Sequence, residues 1–242
     1  MLAKYFDKIK TLLQVVEKEE FPAIEQAAEK VAESLQNDGV IHLFGCGHSH
    51  ILTEEVYYRA GGLVPIHPIL HEPLMLHEGA VRSSTLERKN DYAGQFMNDQ
   101  DIRPGDVMLV LSTSGRNPVP VDAAKIAKEK GAFVIGITSI KYSKSQPSRH
   151  RSGNHLFDAV DLVIDNHSPI GDALLTHEKV EVNFTPSSTV IGAAIINGMF
   201  ARSIAIMAEN GFQPPVFLSG NIEGADAHNK QLIEKYADRV KL

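Results

Sequence analysis

Cysteine is almost missing from this chain: Cys46 is the one thiol in 242 residues. An intramolecular disulfide is therefore impossible, and a disulfide-stapled secreted scaffold is excluded. Metal-ligand spacing is missing too. His48, His50, His71 and His77 fall in neighbouring predicted loops, but no HxxxH spacing relates these four, and a single cysteine rules out CxxC. No metal and no cofactor are expected. Basic residues are in deficit, with 24 Lys and Arg against 30 Asp and Glu, for a net charge of -6 and a pI near 6.0. That argues against a nucleic-acid partner, which needs a basic face. It does not argue against a small anion, which local dipoles can hold on an acidic protein. The opening residues Met1 to Phe6 carry no apolar signal region. The most apolar segment, 189–208, contains Asn197 and Arg202. It is expected to be a buried core helix and not a membrane span. Internal repeats and low-complexity tracts are absent. A cytoplasmic protein with no membrane partner is expected.

What is present reads as one α/β domain. Hydrophobic residues make up 43% and charged residues 22%, as in ordinary globular chains, and the length suffices for a sizeable core. Residues 3–36 carry apolar side chains at helical spacing, with Pro22 as a break or kink and Asn37-Asp38-Gly39 as the stop. Five apolar runs follow, at 40–44, 63–70, 107–111, 132–138 and 161–164. Such continuous runs suit parallel strands buried on both faces. Their alternation with helical patterns predicts a doubly wound sheet. The expected organisation is a helical extension over about 1–36, a sheet core over about 37–210, and a tail with a helix near 226–240 closing the chain at 242. Residues 142–157 read as an exposed loop, and 71–85 as a long irregular segment.

In doubly wound sheets ligands sit beyond the carboxyl ends of the strands, and three loops predicted there are rich in hydroxyls or glycine. The first is Gly45-Cys46-Gly47-His48-Ser49-His50, whose glycines let the backbone turn sharply. It is not a GxGxxG fingerprint, and no acidic residue closes the second strand, so a nucleotide reading is disfavoured. The second is Ser112-Thr113-Ser114-Gly115-Arg116-Asn117, with a helix opening at Pro118. The third runs from Glu181 to Ser187-Ser188-Thr189 and enters the apolar helix. Hydroxyls and N–H groups at a helix N-terminus favour an anion such as phosphate, although each loop alone is equally a plain helix cap. Cys46 reads as packed, not nucleophilic.

Together these loops resemble the SIS (sugar isomerase) domain family of phosphosugar-binding proteins over roughly residues 37–210. Within it, the chain is similar to bacterial proteins that carry the label of phosphoheptose isomerases. The stretch Ser114-Gly115-Arg116-Asn117-Pro118 also resembles the Ser-Gly-Arg-Thr-Pro of N-acetylmuramic acid 6-phosphate etherases. The resemblance implies a three-layer α/β/α fold with a five-stranded parallel sheet of flavodoxin-like order, preceded by N-terminal helices. It implies a homodimer or higher homo-oligomer, and a sugar phosphate as ligand. Ser49, Ser112, Thr113, Ser114, Gly115, Ser187 and Ser188 are the implied phosphate-site residues.

Isomerisation and ether cleavage both need groups that accept and donate protons. Related isomerases carry a catalytic Glu after the second strand, often beside Arg, which makes Glu87-Arg88 the first choice, with Glu72 and Glu78 behind it. The competing reading of Glu87 is a solvated residue in the first turn of a helix. His77, or by family likeness the late His228, is the expected partner at oxygen. The expected function is aldose–ketose isomerisation of a sugar phosphate. Elimination of the etherase type and non-catalytic phosphosugar sensing remain as alternatives.

Overall fold

Pro22 does not kink a helix; it starts one. In the computed structural model, which describes residues 1–241, helix α1 (Leu2–Glu19) ends at Glu20 and α2 (Phe21–Gln36) begins at once. Pro22 lies in the first turn of α2, where its missing N–H would have had no helical acceptor. Glu20 at the junction accepts the Asp165 N–H at 3.0 Å and meets His167 Nε2 at 2.9 Å. The two helices are thereby fastened to the end of the last sheet strand.

The chain then alternates. Strand β1 (Ile41–Gly45) leads through a 3-10 turn (Gly47–His50) into α3 (Ile51–Glu55) and on to β2 (Ile66–Pro68). Two more 3-10 turns, α4 (Ala80–Leu86) and α5 (Gly94–Met97) follow, so the region expected to be irregular is mostly helical. Then come β3 (Val107–Leu111), α6 (Pro118–Glu129), β4 (Phe133–Thr138), α7 (Ile140–Lys144) and β5 (Leu162–Asp165). All five strands are parallel, in the order β2-β1-β3-β4-β5. This is the flavodoxin-like order, and its reversal lies between β1 and β3.

Alternate strand residues feed two cores, as a period of two requires. Leu43, Leu109 and Ile135 pack with α2 and α8, while Phe44, Met108, Val110 and Val134 pack with α6. Helix α8 (Ser188–Glu209) is long and apolar enough to cross a membrane, and it buries Ile191, Ile195, Ile196 and Met199 against the first core.

One expectation is corrected. Residues from Glu181 to Phe184 are not loop: β6 (Leu175–His177) and β7 (Val180–Phe184) form an antiparallel hairpin outside the main sheet. The segment 142–157 is, as expected, largely an exposed loop between β4 and β5, but the start of it belongs to α7 and it is pinned at three points. Ser143, His150 and Leu156 are buried, and His150 Nε2 meets Asp122 of α6 at 2.8 Å. The closing helix α9 (Ala225–Tyr236) stops short of 240, and Tyr236 packs with Val64 and Phe217 beside the edge strand.

Candidate active site

The reversal of strand order opens a crevice at the exits of β1 and β3, and both loops there are built by close approach. A Cβ on Gly45 would stand 2.7 Å from the backbone carbon and oxygen of Ser49, so the chain can fold back only over glycine. Ser49 N–H donates to the Cys46 carbonyl at 3.0 Å. Its half-buried hydroxyl makes no hydrogen bond among the described residues and caps no helix. The ring of His50 turns back onto the Gly47 carbonyl, while His48 is exposed. Cys46 is buried; burial, with the charge of Glu87 behind it, pushes its thiol well above the usual range. That environment suits a packed thiol and not a nucleophile.

The loop after β3 is clamped to the exit of β4. Ser112 N–H reaches the Ile137 carbonyl at 3.1 Å, and Ser139 N–H reaches the Thr113 carbonyl at 2.9 Å. Gly115 has φ +58°, and a Cβ there would meet Ser143 Oγ at 2.6 Å and Thr138 Oγ1 at 2.7 Å. The N–H groups of Thr113, Ser114, Arg116 and Asn117 find no acceptor among the described residues, and neither the Ser112 nor the Ser114 hydroxyl is engaged. A short arc of open donors results, of the kind that cradles an anion.

Helix α6 adds less than its position suggests. Pro118 and Pro120 have no N–H, and the Val119 N–H donates to the Glu87 carbonyl at 3.3 Å. The loop, not the first turn of the helix, carries the free donors.

Glu87 stands at the end of α4, not at the start of a helix as a solvated first-turn residue would. Its half-buried carboxyl is raised above the ordinary glutamate range by burial, against the opposing pull of a hydrogen bond from Asn117 and of the Arg88 and Arg149 charges. Asn117 Oδ1 accepts from Arg149 Nη1 at 2.8 Å, which leaves its amide N–H groups for Glu87. Asn117 and Arg149 escape sequence reasoning, because nothing local marks a loop amide that bridges residues 30 positions to one side and 32 to the other.

Asn117→Ala is therefore expected to move the Glu87 titration, followed by carbon NMR of the labelled carboxyl, to higher pH. The lost donor favours the charged form, so its removal favours the proton. An unmoved or lowered midpoint would show that Asn117 does not tune this acid.

The third loop is already filled. Asp172 Oδ1 accepts the N–H groups of Ser187 at 2.9 Å and Ser188 at 3.0 Å and the Ser187 hydroxyl at 2.9 Å; Oδ2 accepts the Ser188 hydroxyl at 2.6 Å. The chain's own carboxylate thus takes the place at the α8 N-terminus that the sequence assigns to phosphate, and Ser187 and Ser188 are not open donors. The network continues through Ser187 Oγ to Ser168 Oγ at 3.2 Å and from Ser139 Oγ to the Ser168 carbonyl at 2.7 Å. The third loop therefore lies beside the second.

The remaining candidates are dispersed. His77 is exposed, 4.0 Å from the Glu78 carboxylate, and Glu72 and Glu78 are also exposed. His71 stacks on Phe96 at 4.3 Å and meets the Tyr92 hydroxyl at 3.0 Å; burial, helped by Arg82, lowers its pKa. His228 pairs with the Val216 carbonyl at 2.9 Å. Val216 bridges to Leu63, just before β2, and Arg239 beyond α9 bonds Asp106, just before β3, at 2.7 Å. His228 therefore belongs to the N-terminal side of the sheet and does not serve the crevice of its own chain. No group of three or more His, Cys, Asp or Glu side chains converges on a metal position among the described residues.

A family model described as a SIS domain matches residues 4–139. A UPF0309 protein of Halalkalibacterium halodurans is 67% identical over 242 residues, covering 100% of this chain and 97% of the relative. One from Caldanaerobacter subterraneus is 46% identical over 244 residues, covering 100% of this chain and 99% of its own. Among solved structures, the phosphoheptose isomerase GmhA of Neisseria gonorrhoeae superposes with a TM-score of 0.53 at 19% identity, over 86% of this chain and 97% of that one. A phosphoheptose isomerase of Francisella tularensis gives 0.54 at 16%, over 84% and 96%. These two show a shared fold.

Proposed function

The chain belongs to the SIS domain family, and on that premise we propose that it binds a sugar phosphate at the exits of β1 and β3 and interconverts its aldose and ketose forms. The observation that carries this reading is the arc of open donors at Thr113, Ser114, Arg116 and Asn117, with the Ser112, Ser114 and Ser49 hydroxyls, near a carboxyl of raised pKa. The arc holds the phosphate and fixes the sugar. Glu87 in its charged form takes the proton from the carbon beside the carbonyl while the carbonyl oxygen takes one from water, giving an enediol; Glu87 then returns its proton to the former carbonyl carbon as the other hydroxyl gives one back to water. A raised pKa suits this exchange, because one group must both take and give the proton. Binding through the phosphate, away from the reacting carbons, supplies the positioning. The same reading treats the chain as one domain working as a homo-oligomer, in which a second copy covers exposed apolar side chains such as Leu2, Phe6 and Val190.

Thermal denaturation against sugar phosphates and their unphosphorylated sugars tests the reading. A ligand at a hundred times its Kd stabilises by about 2.7 kcal/mol, a rise of roughly 5–10 °C for a chain of this size. The Ser112→Ala/Ser114→Ala double variant is expected to lose most of that rise. Equal stabilisation by unphosphorylated sugars, or a rise that survives the double variant, would count against the phosphate loop.

A further inference from the structure

Three arginines stand at the rim of the crevice without a carboxylate to pair with, Arg88 and Arg149 exposed and Arg116 half-buried. Of the nine arginines in the chain, Arg59, Arg103, Arg151, Arg202 and Arg239 form ion pairs. The other four, Arg82, Arg88, Arg116 and Arg149, have no carboxylate oxygen within 4.0 Å among the described residues, and all but Arg82 act on one another at the crevice. Arg116 and Arg149 are held side by side. Arg149 N–H donates to the Arg116 carbonyl at 2.8 Å, Arg116 Nε donates to the Pro147 carbonyl at 3.2 Å, and Arg149 Nη1 donates to Asn117 Oδ1 at 2.8 Å. The Pro147 and Asn117 anchors each engage one guanidinium nitrogen and leave the other N–H groups free. Arg88 follows Glu87 directly. Burial, and then Arg116 and Arg88, lower the pKa of Arg149, as close like charges do.

Holding three cations together is unfavourable unless a counter-charge arrives. Glu87 is the one carboxylate that acts on Arg149, and no oxygen of it lies within 4.0 Å of the guanidinium. The donor arc of the second loop already accounts for one phosphate. We propose that the ligand of this site carries a second anionic group, a carboxylate or another phosphate, received by Arg116 and Arg149 with Arg88 at its edge. This rests on the phosphosugar reading and narrows its substrate class to doubly anionic sugars. A planar guanidinium with one edge fixed and one free matches such an oxyanion through paired N–H donors.

Calorimetric titration at constant ionic strength decides it, with two matched pairs of probes: 6-phosphogluconate against glucose 6-phosphate, and fructose 1,6-bisphosphate against fructose 6-phosphate. The parent is expected to bind the doubly anionic member of a pair at least about tenfold tighter. Arg149→Gln and Arg116→Gln are expected to erase most of that preference and to leave the singly anionic member within about threefold. Arg82→Gln, outside the cluster, keeps the preference. Equal affinities within both pairs, or arginine variants that weaken both members alike, overturn the proposal and leave the phosphosugar reading standing. Silence of all four probes and of inorganic phosphate overturns both.

Discussion

Glu87→Gln is expected to lower turnover of the sugar phosphate by about 10²- to 10⁴-fold, the usual contribution of a general acid–base group, and to leave binding within a few-fold of the parent. Glutamine keeps the shape and still accepts the Asn117 hydrogen bond, so the crevice is preserved while the proton carrier is lost. The fold is not at risk. The raised pKa means that the folded state holds the Glu87 proton more tightly than the unfolded chain does. Its contribution to stability is therefore full below the ordinary glutamate range and is lost as pH rises through the folded value. Glutamine is neutral throughout, so the melting temperature of the variant should fall less than the parent's over that window. Turnover and calorimetric affinity, measured on the same preparation, separate three outcomes. Lost turnover with retained affinity supports the catalytic role. Unchanged turnover removes Glu87 as the proton carrier. An absence of turnover in the parent, with binding intact, favours a phosphosugar sensor.

Asp172→Ala is expected to lower stability by about 3 kcal/mol, since hydrogen bonds to a charged acceptor contribute roughly 1.5–3 kcal/mol each and do not add fully. For a chain of this length that is a fall in Tm of about 6–12 °C. Four donors converge on this carboxylate: the N–H groups and the hydroxyls of Ser187 and Ser188, at 2.6–3.0 Å. It also sits at the N-terminus of the 22-residue α8, where negative charge is favoured. Ser187 is buried, so its orphaned groups would not be fully rewetted. Millimolar phosphate is expected to raise the Tm of the variant more than that of the parent, because the variant adds a vacant anion position at the α8 N-terminus to the donor arc that both share. An unchanged Tm would show that Asp172 contributes nothing there. Equal rescue of parent and variant would place phosphate elsewhere.

The sheet was legible because its signal is local. The apolar run 107–111 became β3 without a shift, and the other four runs hold their strands within a few residues, except that only Ile66–Pro68 of the run 63–70 pairs as strand. Side chains buried on both faces leave a continuous apolar record. The hairpin of β6 and β7 leaves none: Val180, Glu181, Val182 and Asn183 are exposed, and strands that bury no face carry no periodic constraint. Glu87 was legible as a candidate but not as the end of α4, for Thr85-Leu86-Glu87 has the chemistry of a helix start as well.

By itself, the sequence determined the parallel sheet, the glycine and hydroxyl loops at its carboxyl ends, and the lack of a disulfide, since each follows from residue type and short spacing. Only the tertiary structure decided which donors stay open. Glu87 closes the α6 N-terminus from 32 residues away, and Asp172 closes that of α8 from 15 and 16 residues away. It also decided that His228 stays on the far side of the sheet and that Arg149, from 33 residues away, is tied to the Arg116 carbonyl and the Asn117 amide. The physical reason is that an N–H, a hydroxyl or a guanidinium has the same intrinsic chemistry wherever it stands. Whether it is free for a ligand depends on partners that only the fold brings within 3 Å.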